Sequence, residues 1–260
     1  RFYYNIPEDE DSVALSFYTN DGKLIRAFST DVKDKSDELT IESGMNIFNW
    51  DTRYEKADDF EGMLMWWGTL NGPKCPPGMY TARLKVGSDS VDVQFEILLD
   101  PRSEGSIEDR QAQFEFLLEI RNKLDETHDA IANMRAIKGQ IGALNYRVEP
   151  ELYPKVVEEG ERLDSLMTSI EQKLYQTKLK SNQDMLNFPI MLNNKLAHVA
   201  SLANMGIYRP TAQMIQVKDD LVSKINVELE LWYKIRDKGL PKFNELIRNE
   251  KINLIGVKEE

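Results

Sequence analysis

The spacing of the apolar residues changes near Asp100, from an alternation of two residues to a repeat of three and four. Alternation places side chains on the two faces of a strand, whereas steps of three and four place them along one face of a helix. The change predicts a multi-domain chain that is all-β and then all-α. We expect a β domain over residues 1–100, a linker over 101–105 and a helical domain over 106–260.

Short alternating runs fill the first hundred residues. Val13, Leu15 and Phe17 share one face of a predicted strand, and the Asn-Asp-Gly sequence at 20–22 is typical of a tight hairpin turn. Similar runs cover residues 24–29, 44–51, 79–86 and 91–97. Six or seven short strands within about 100 residues predict an immunoglobulin-like β-sandwich.

Four amphipathic segments follow the linker. Ser106 is a typical N-cap for the first helix, which we expect to weaken at Gly139 and Gly142. The second has apolar residues at heptad spacing over 156–174, with Gly160 in the seam. The third and fourth cover residues 189–205 and 211–238, and a short closing turn follows Pro241 at 243–247. Four helices with short connections predict an antiparallel four-helix bundle.

Charge and composition exclude several classes of function. Residues 1–100 contain 10 Lys/Arg against 19 Asp/Glu, and the chain carries a formal net charge of −11. An acidic surface repels phosphate backbones, so nucleic acid is not an expected partner. No apolar run approaches the roughly 18 residues that a membrane span requires. Cys75 is the only cysteine, which excludes an intrachain disulfide and a thiolate metal cluster.

The tract at residues 60–70 carries more apolar surface than one face of a strand can bury. We expect it to lie in the β core or against the neighbouring domain, because tryptophan is largely buried in most proteins. The alternative is an aromatic platform on which sugar rings stack. Under that alternative, the binding residues are Trp66, Trp67 and Tyr54.

The polar candidates do not combine into a predicted catalytic, cofactor or metal site. His128 lies on the apolar seam of the first helix, where a histidine is usually a hydrogen-bonded core residue, and neither it nor His198 has a ligand partner at helical spacing. A hydrolase site between the domains, built on His128 and loop acids, stays open as an alternative. The amide- and hydroxyl-rich stretches at 175–184 and 193–195 are expected to cap helices and tie loops down.

Several motifs resemble a known family. They are Gly44-x-Asn46-x-Phe48-x-Trp50-Asp51-x-Arg53-Tyr54, Pro76-Pro77-Gly78-x-Tyr80-Thr81-x-Arg83-Leu84, and segments within 113–130, 175–196 and 209–213. The chain is similar, over nearly its whole length, to the C-terminal region of large secreted bacterial proteins of the sortilin-like, BNR-repeat type, often labelled glycosyl hydrolases. In that family a β-propeller precedes an Ig-like domain similar to that of flagellar-hook capping proteins, and a helical segment comes last.

The resemblance implies a non-catalytic accessory region of a bacterial protein that is secreted or held in the cell envelope. Any sialidase-like activity would reside on the upstream propeller, since no catalytic residue of the family maps onto these positions. The implied partner is that propeller, and a glycan, a protein ligand or a second copy bound through the helices are further expectations. The start at Arg1, without an initiator Met, is read as the edge of an excised fragment.

Overall fold

The computed structural model describes residues 1–6, 12–32, 35–102 and 104–252. Strands come first along the chain and helices follow, which confirms the expected β-then-α organisation. Residue 103 of the predicted linker and residues 253–260 of the predicted helical domain lie outside the described residues. Within the described ranges, no helix combines the length and the apolar character needed to cross a bilayer.

The described strands are β1 Phe2–Ile6, β2 Val13–Thr19, β3 Leu24–Ser29, β4 Gly44–Phe48, β5 Gly78–Val86 and β6 Asp89–Ile97. They form a four-stranded sheet in the order β3-β2-β5-β6 and a two-stranded sheet of β1 and β4, with antiparallel pairing throughout. The predicted turn at 20–22 is confirmed, with Gly22 at a φ of 84° that glycine adopts without strain. The sequence did not single out β1, because three consecutive aromatic residues there hide the alternation.

Aromatic rings from both sheets meet in one core. Phe17 of β2 stacks on Trp50 with ring centroids 4.0 Å apart and planes 6° from parallel. Phe2 of β1 lies 4.9 Å from Phe17, and Phe28 of β3 lies 4.6 Å from Phe48 of β4. Such ring pairs contribute about 0.5–1.5 kcal/mol each beyond the area they bury. The aromatic residues therefore join the two sheets.

The helices are α1 Ile107–Arg147, α2 Pro154–Leu174, α3 Leu192–Ala203, α4 Ala212–Lys234 and α5 Leu240–Asn249. Ser106 caps α1 as predicted: its Oγ accepts from the backbone N–H of Asp109 at 3.1 Å, and the Asp109 carboxylate accepts from the N–H of Ser106 at 3.2 Å. Thr211 caps α4 in the same way, since its side chain accepts from the N–H of Met214 at 3.2 Å. Polar caps therefore place both N-termini.

The predicted weakening of α1 at its glycines is wrong. The helix continues through Gly139 and Gly142 to Arg147. Nothing lies within 4 Å of a Cβ built on either glycine, so both occupy an open face of the helix. Ile141 and Leu144 on the opposite face are buried, and this packing outweighs the roughly 1 kcal/mol that each glycine costs a helix.

Helix α2 confirms the heptad prediction. Its buried residues include every predicted seam position, namely Val156, Gly160, Leu163, Met167, Ile170 and Leu174. A Cβ on Gly160 would lie 3.1 Å from Ile141 and 3.2 Å from Asn145, both of α1. The glycine therefore permits the two helices to approach each other closely.

The boundaries of the last helices differ from the prediction. Helix α3 begins at Leu192 rather than Pro189, whose carbonyl instead accepts a hydrogen bond of 2.9 Å from the Gln176 side chain. Helix α4 ends at Lys234 rather than at Lys238, and a π-helical turn, Ile235–Gly239, leads from it directly into α5. Pro241 then falls in the first turn of α5, the helix position at which proline is best tolerated.

The chain divides into two compact units that are not continuous in sequence. The first comprises Arg1–Ala57, Asn71–Arg121 and Ala203–Pro210, and the second comprises Asp58–Leu70, Asn122–Leu202 and Thr211–Glu260. Helix α1 contributes residues to both units. This division differs from the predicted ranges of 1–100 and 106–260, most clearly because Asp58–Leu70 belongs with the helices rather than with the strands.

Candidate functional site

The Asp58–Leu70 segment contains the tryptophan pair that the sequence singled out. It has turns and bends but no described strand or helix, and it lies in the second unit. A segment without regular structure must satisfy its backbone polar groups through side chains or distant backbone. Side chains of α1, of Tyr175 directly after α2, and of α3 supply several of these partners, from one end of the segment to the other.

His128 and Asp125 of α1 hold the first residue of the segment. The Asp125 carboxylate accepts from the N–H of Asp58 at 2.6 Å, and His128 Nδ1 lies 2.6 Å from the carbonyl oxygen of Asp58. A carbonyl only accepts, so Nδ1 carries the proton and Nε2 accepts from Asn193 Nδ2 at 3.2 Å. Both ring nitrogens are therefore engaged.

Burial keeps His128 neutral. The residue is 1% exposed, and burial lowers the pKa of its imidazole. The bond to the Asp58 carbonyl and the charges of Asp125, Asp59 and Asp129 raise that pKa, but by less than burial lowers it. The expectation of a hydrogen-bonded core histidine is confirmed by these contacts.

Phe60 anchors the middle of the segment. Its ring meets those of His128 and Tyr175 edge-on, with centroids 5.4 and 5.0 Å apart, and the Arg135 guanidinium lies 4.6 Å from its centre. The Tyr175 hydroxyl accepts from the N–H of Leu64 at 3.0 Å. Aromatic and cation-π contacts of this kind contribute roughly 0.5–2 kcal/mol each and help to hold an irregular segment in place.

An ion-pair cluster supports Arg135. Its Nε donates to Glu171 Oε1 at 2.7 Å, and Lys138 Nζ donates to Glu171 Oε2 at 2.9 Å. Arg135 Nη1 also donates to the carbonyl of Glu61 at 3.0 Å. The Glu171 side chain is 5% exposed and both its oxygens are paired, so the cluster positions Arg135 without leaving a buried charge unmet.

Asn194 and Ser201 of α3 fix the end of the segment. Asn194 accepts from the N–H of Trp66 at 2.8 Å and donates to the carbonyl of the same residue at 2.7 Å. Ser201 Oγ donates to the carbonyl of Trp67 at 3.0 Å, and His198 Nδ1 lies 3.3 Å from that oxygen. The backbone of both tryptophans is thereby tied to one helix.

The two indole rings form a parallel stack. Their centroids lie 5.5 Å apart with planes 7° from parallel, and Trp67 is 72% exposed. Trp67 has a φ of 51°, a left-handed conformation that costs a residue with a Cβ on the order of 1 kcal/mol. The hydrogen bonds of Asn194 and Ser201 stabilise this conformation. The structure thus presents a large apolar side chain to solvent on a fixed backbone.

Tyr54 packs within the first unit. Its ring centroid lies 5.0 Å from that of Phe114, and burial raises the pKa of its hydroxyl to about 12. A Cβ on Gly72 would come within 2.2 Å of the Tyr54 carbonyl, so the chain beside Tyr54 requires glycine. Tyr54 is therefore a packing residue of its own unit, whereas Trp66 and Trp67 belong to the second unit.

The acidic residues and the cysteine do not form a reactive cluster in the described part of the chain. No group of three or more His, Cys, Asp or Glu there is arranged to hold a metal ion. Cys75 is 3% exposed, and burial raises the pKa of its thiol to about 12, so it is not a thiolate near neutral pH.

Sequence reasoning found some of these residues and missed others. The prediction that the stretches at 175–184 and 193–195 tie loops down is confirmed at Tyr175 and Asn194, which bond to the backbone of Asp58–Leu70. Asp125 and Ser201 were not singled out. Their partners are backbone groups 67 and 134 residues away, and such pairings leave no local pattern in the sequence.

Comparisons with protein-family models, with curated proteins and with solved structures found no match to this chain. No relative or family therefore assigns a function to any of these residues. Their own contacts, charges and exposure are the basis on which a function can be assigned.

Proposed function

We propose that this chain is a non-catalytic interaction region of a larger secreted bacterial protein with an upstream β-propeller of the sortilin-like, BNR-repeat type. In this proposal the strands form an immunoglobulin-like sandwich, the helices form an antiparallel bundle, and the two together orient or brace the propeller. The proposed location is outside the cell or in the cell envelope. The resemblance of the sequence motifs supplies the family, and the internal use of their polar side chains supports the role.

The hydrogen bonds of His128 are the main support for the non-catalytic part of the proposal. A histidine that acts as a general base must present a ring nitrogen to its substrate. His128 instead donates to the Asp58 carbonyl and accepts from Asn193, and both bonds are internal to the unit. Tyr175 and Asn194, from the other resembling segments, likewise bond to the backbone of Asp58–Leu70. The internal hydrogen bonds of these side chains favour a role as a structural scaffold.

The reading frame upstream of Arg1 tests the family assignment. We expect it to encode repeated propeller blades, and a frame without them would contradict the proposal. An activity screen on chromogenic glycosides, including sialosides, tests the role. The purified chain should be inactive while the longer protein carries any activity, and hydrolysis by this chain that His128→Asn abolishes would establish an enzyme instead.

A carbohydrate-binding site at Trp66 and Trp67 is the second candidate function. The parallel ring stack and the exposure of Trp67 favour it, because sugar rings pack on exposed aromatic faces. The test is tryptophan emission during titration with a panel of glycans. A ligand should shift the emission of the wild type and of Tyr146→Ala, which removes another exposed aromatic, but not of Trp67→Ala. A silent response across the panel would remove this candidate.

A further inference from the structure

A groove in the second unit runs between α2 on one side and α4, the π-helical turn and α5 on the other, and the first turn of α3 lines one end of it. We call it the lysine groove. It consists of two adjoining hollows of about 370 and 320 Å³, both lined by Lys173 and Glu228. Its lining residues are separate from those that hold the Asp58–Leu70 segment, so a ligand in this groove is independent of the proposed function.

The lysine groove is long, and its two walls are antiparallel. Lys173 Nζ lies 2.9 Å from Glu228 Oε1, and a Cβ on Gly239 would lie 3.2 Å from the Leu163 side chain. The two walls therefore run in opposite directions. Lining residues extend from Glu159 to Lys173 along α2, which corresponds to about 20 Å at the 1.5 Å rise of a helix.

The floor of the lysine groove is apolar and partly open to solvent. Leu163 and Ile235 are buried in it, whereas Leu166 and Leu231 are each 40% exposed. Leucines that remain exposed in a groove between two helices can lose further surface only to another molecule or segment. A helix laid along a groove of this kind buries such side chains at intervals of three and four residues.

The rim of the lysine groove is cationic although the chain as a whole is acidic. Five positive side chains line the larger hollow against two carboxylates, those of Glu159 and Glu228. Arg162 pairs with Glu159 and Lys173 pairs with Glu228. Lys234, Lys238 and Lys242 complete the rim and leave a local positive excess in a chain of net charge −11. The complementary occupant is acidic.

One carboxylate oxygen of Glu228, in the groove lining, lacks a hydrogen-bond donor among the described residues. The residue is 6% exposed, and its Oε2 has no hydrogen-bond partner in the described part of the chain. A buried carboxylate oxygen without a donor is costly. Glu228 lines both hollows, but less than 1 Å² of this oxygen is accessible, so a donor brought by the occupant can meet it only when the side chains above it move aside.

We propose that the lysine groove binds an acidic amphipathic helix of another polypeptide. Leucines of that helix would cover Leu166 and Leu231, its carboxylates would face the lysines, and one amide or hydroxyl would meet Glu228 Oε2. An alkyl chain fits less well, because it offers no donor to Glu228 and finds an open trough rather than an enclosed pocket. Two copies joined groove to groove would oppose lysine to lysine.

Fluorescence anisotropy of labelled synthetic peptides tests this proposal. The probe is a helical 18-residue peptide with leucines along one face, glutamates beside them and one central glutamine. One control peptide carries lysine in place of each glutamate, and another has the acidic sequence scrambled. The acidic amphipathic peptide should bind at least about fivefold more tightly than either control, and its affinity should fall as NaCl is raised from 50 to 300 mM, since rim charges are screened by salt.

Matched charge reversals locate the binding surface. Lys238→Glu lies in the rim, and Lys155→Glu makes the same change at an exposed residue of α2 outside the groove. We expect Lys238→Glu to weaken binding by about five- to tenfold and Lys155→Glu to leave it within about twofold, as is usual for a rim charge and a remote charge. Circular dichroism would show that both variants keep their helices.

Three results would overturn the proposal. The first is equal binding of the acidic, basic and scrambled peptides. The second is saturable binding of dodecanoate in the groove without binding of the acidic peptide, which would assign the surface to a small anionic amphiphile. The third is a dimer in analytical ultracentrifugation that Lys238→Glu dissociates, which would assign it to a second copy of this chain.

Discussion

His128 shows how a single side chain with catalytic potential becomes a structural one. Its imidazole bridges the Asp58 carbonyl and the Asn193 amide, and the surrounding rings leave it 1% exposed. Burial outweighs three nearby carboxylates and lowers its pKa. A proton added to Nε2 would turn the acceptor of the Asn193 bond into a donor facing a donor. The bridge therefore requires the neutral ring.

The lowered pKa of His128 makes the stability of the protein depend on pH. The unfolded chain binds a proton at this residue below a pH of about 6.5, whereas the folded chain binds it only at lower pH. The contribution of His128 is therefore complete above that pH and is lost as the pH falls toward the folded pKa.

We expect His128→Asn to be less stable at pH 7.5 and to lose less further stability down to pH 5.5 than the wild type. Asparagine can still donate to the Asp58 carbonyl but has no titrating group. Urea unfolding at pH 7.5, 6.5 and 5.5, followed by far-ultraviolet circular dichroism, measures how the free energy of unfolding of each protein changes with pH. Because the carboxylates titrate alike in the two proteins, parallel pH profiles would refute the assignment.

The Asp58–Leu70 segment shows how an element without regular structure is ordered by its neighbours. Side chains of α1, of Tyr175 directly after α2, and of α3 bond to its backbone at Asp58, Leu64 and Trp66, and Phe60 packs against the rings of His128 and Tyr175. Its order is therefore a property of the helices that surround it. We therefore expect single side chains of these helices to determine how firmly the segment is held.

Asn194→Ala should loosen the end of this segment. The substitution removes the donor and the acceptor that Trp66 uses, and an unmet buried polar group costs about 1–3 kcal/mol. We expect the free energy of unfolding to fall by about that amount and the amides near Trp66 to exchange hydrogen faster, as measured by mass spectrometry. Asn133→Ala, at an exposed asparagine of α1, should change stability by less than about 0.5 kcal/mol. Equal exchange near Trp66 in the two variants would contradict this role.

At the scale of the whole molecule, the excess of acidic residues lies in one part of the chain, whereas each compact unit is built from several parts of it. The acidic excess lies within the first hundred residues, with 10 Lys/Arg against 19 Asp/Glu, whereas residues from both ends of the chain contribute to the compact units. The lysine groove adds a local positive surface in the second unit. Net charge alone therefore does not describe what each surface can bind.

The acidic excess should make the protein sensitive to ionic strength. Repulsion among like charges opposes the compact state, and salt screens it over about 10 Å at 0.1 M. We expect the free energy of unfolding to rise by a few tenths to about 1 kcal/mol between 10 and 200 mM NaCl, since surface charge effects have this size. Urea titrations at the two salt concentrations measure the change. A loss of stability with added salt would show that ion pairs such as Arg83–Asp92 matter more than the repulsion.

Local patterns in the sequence determined the elements. Alternation marked the buried face of β2, heptad spacing marked the seam of α2, and Ser106 and Thr211 marked the starts of α1 and α4. Each of these signals depends on neighbours within a few residues. The prediction of weakening at Gly139 failed for the same reason, because the packing of Ile141 that holds the helix comes from distant parts of the chain.

The sequence by itself therefore determined the order of strands and helices, their caps, and the kind of residue that ties loops down. Only the tertiary structure decided that Asp58–Leu70 joins the helical unit, that His128 bonds to Asp58 and Asn193, and that leucines and lysines from α2 and α4 line one groove. The physical reason is the separation along the chain over which each interaction acts. Periodicity and capping act within one element, whereas the bonds of Lys173 to Glu228 and of His128 to Asn193 and Asp58 join residues 55, 65 and 70 positions apart, for which chain proximity carries no information.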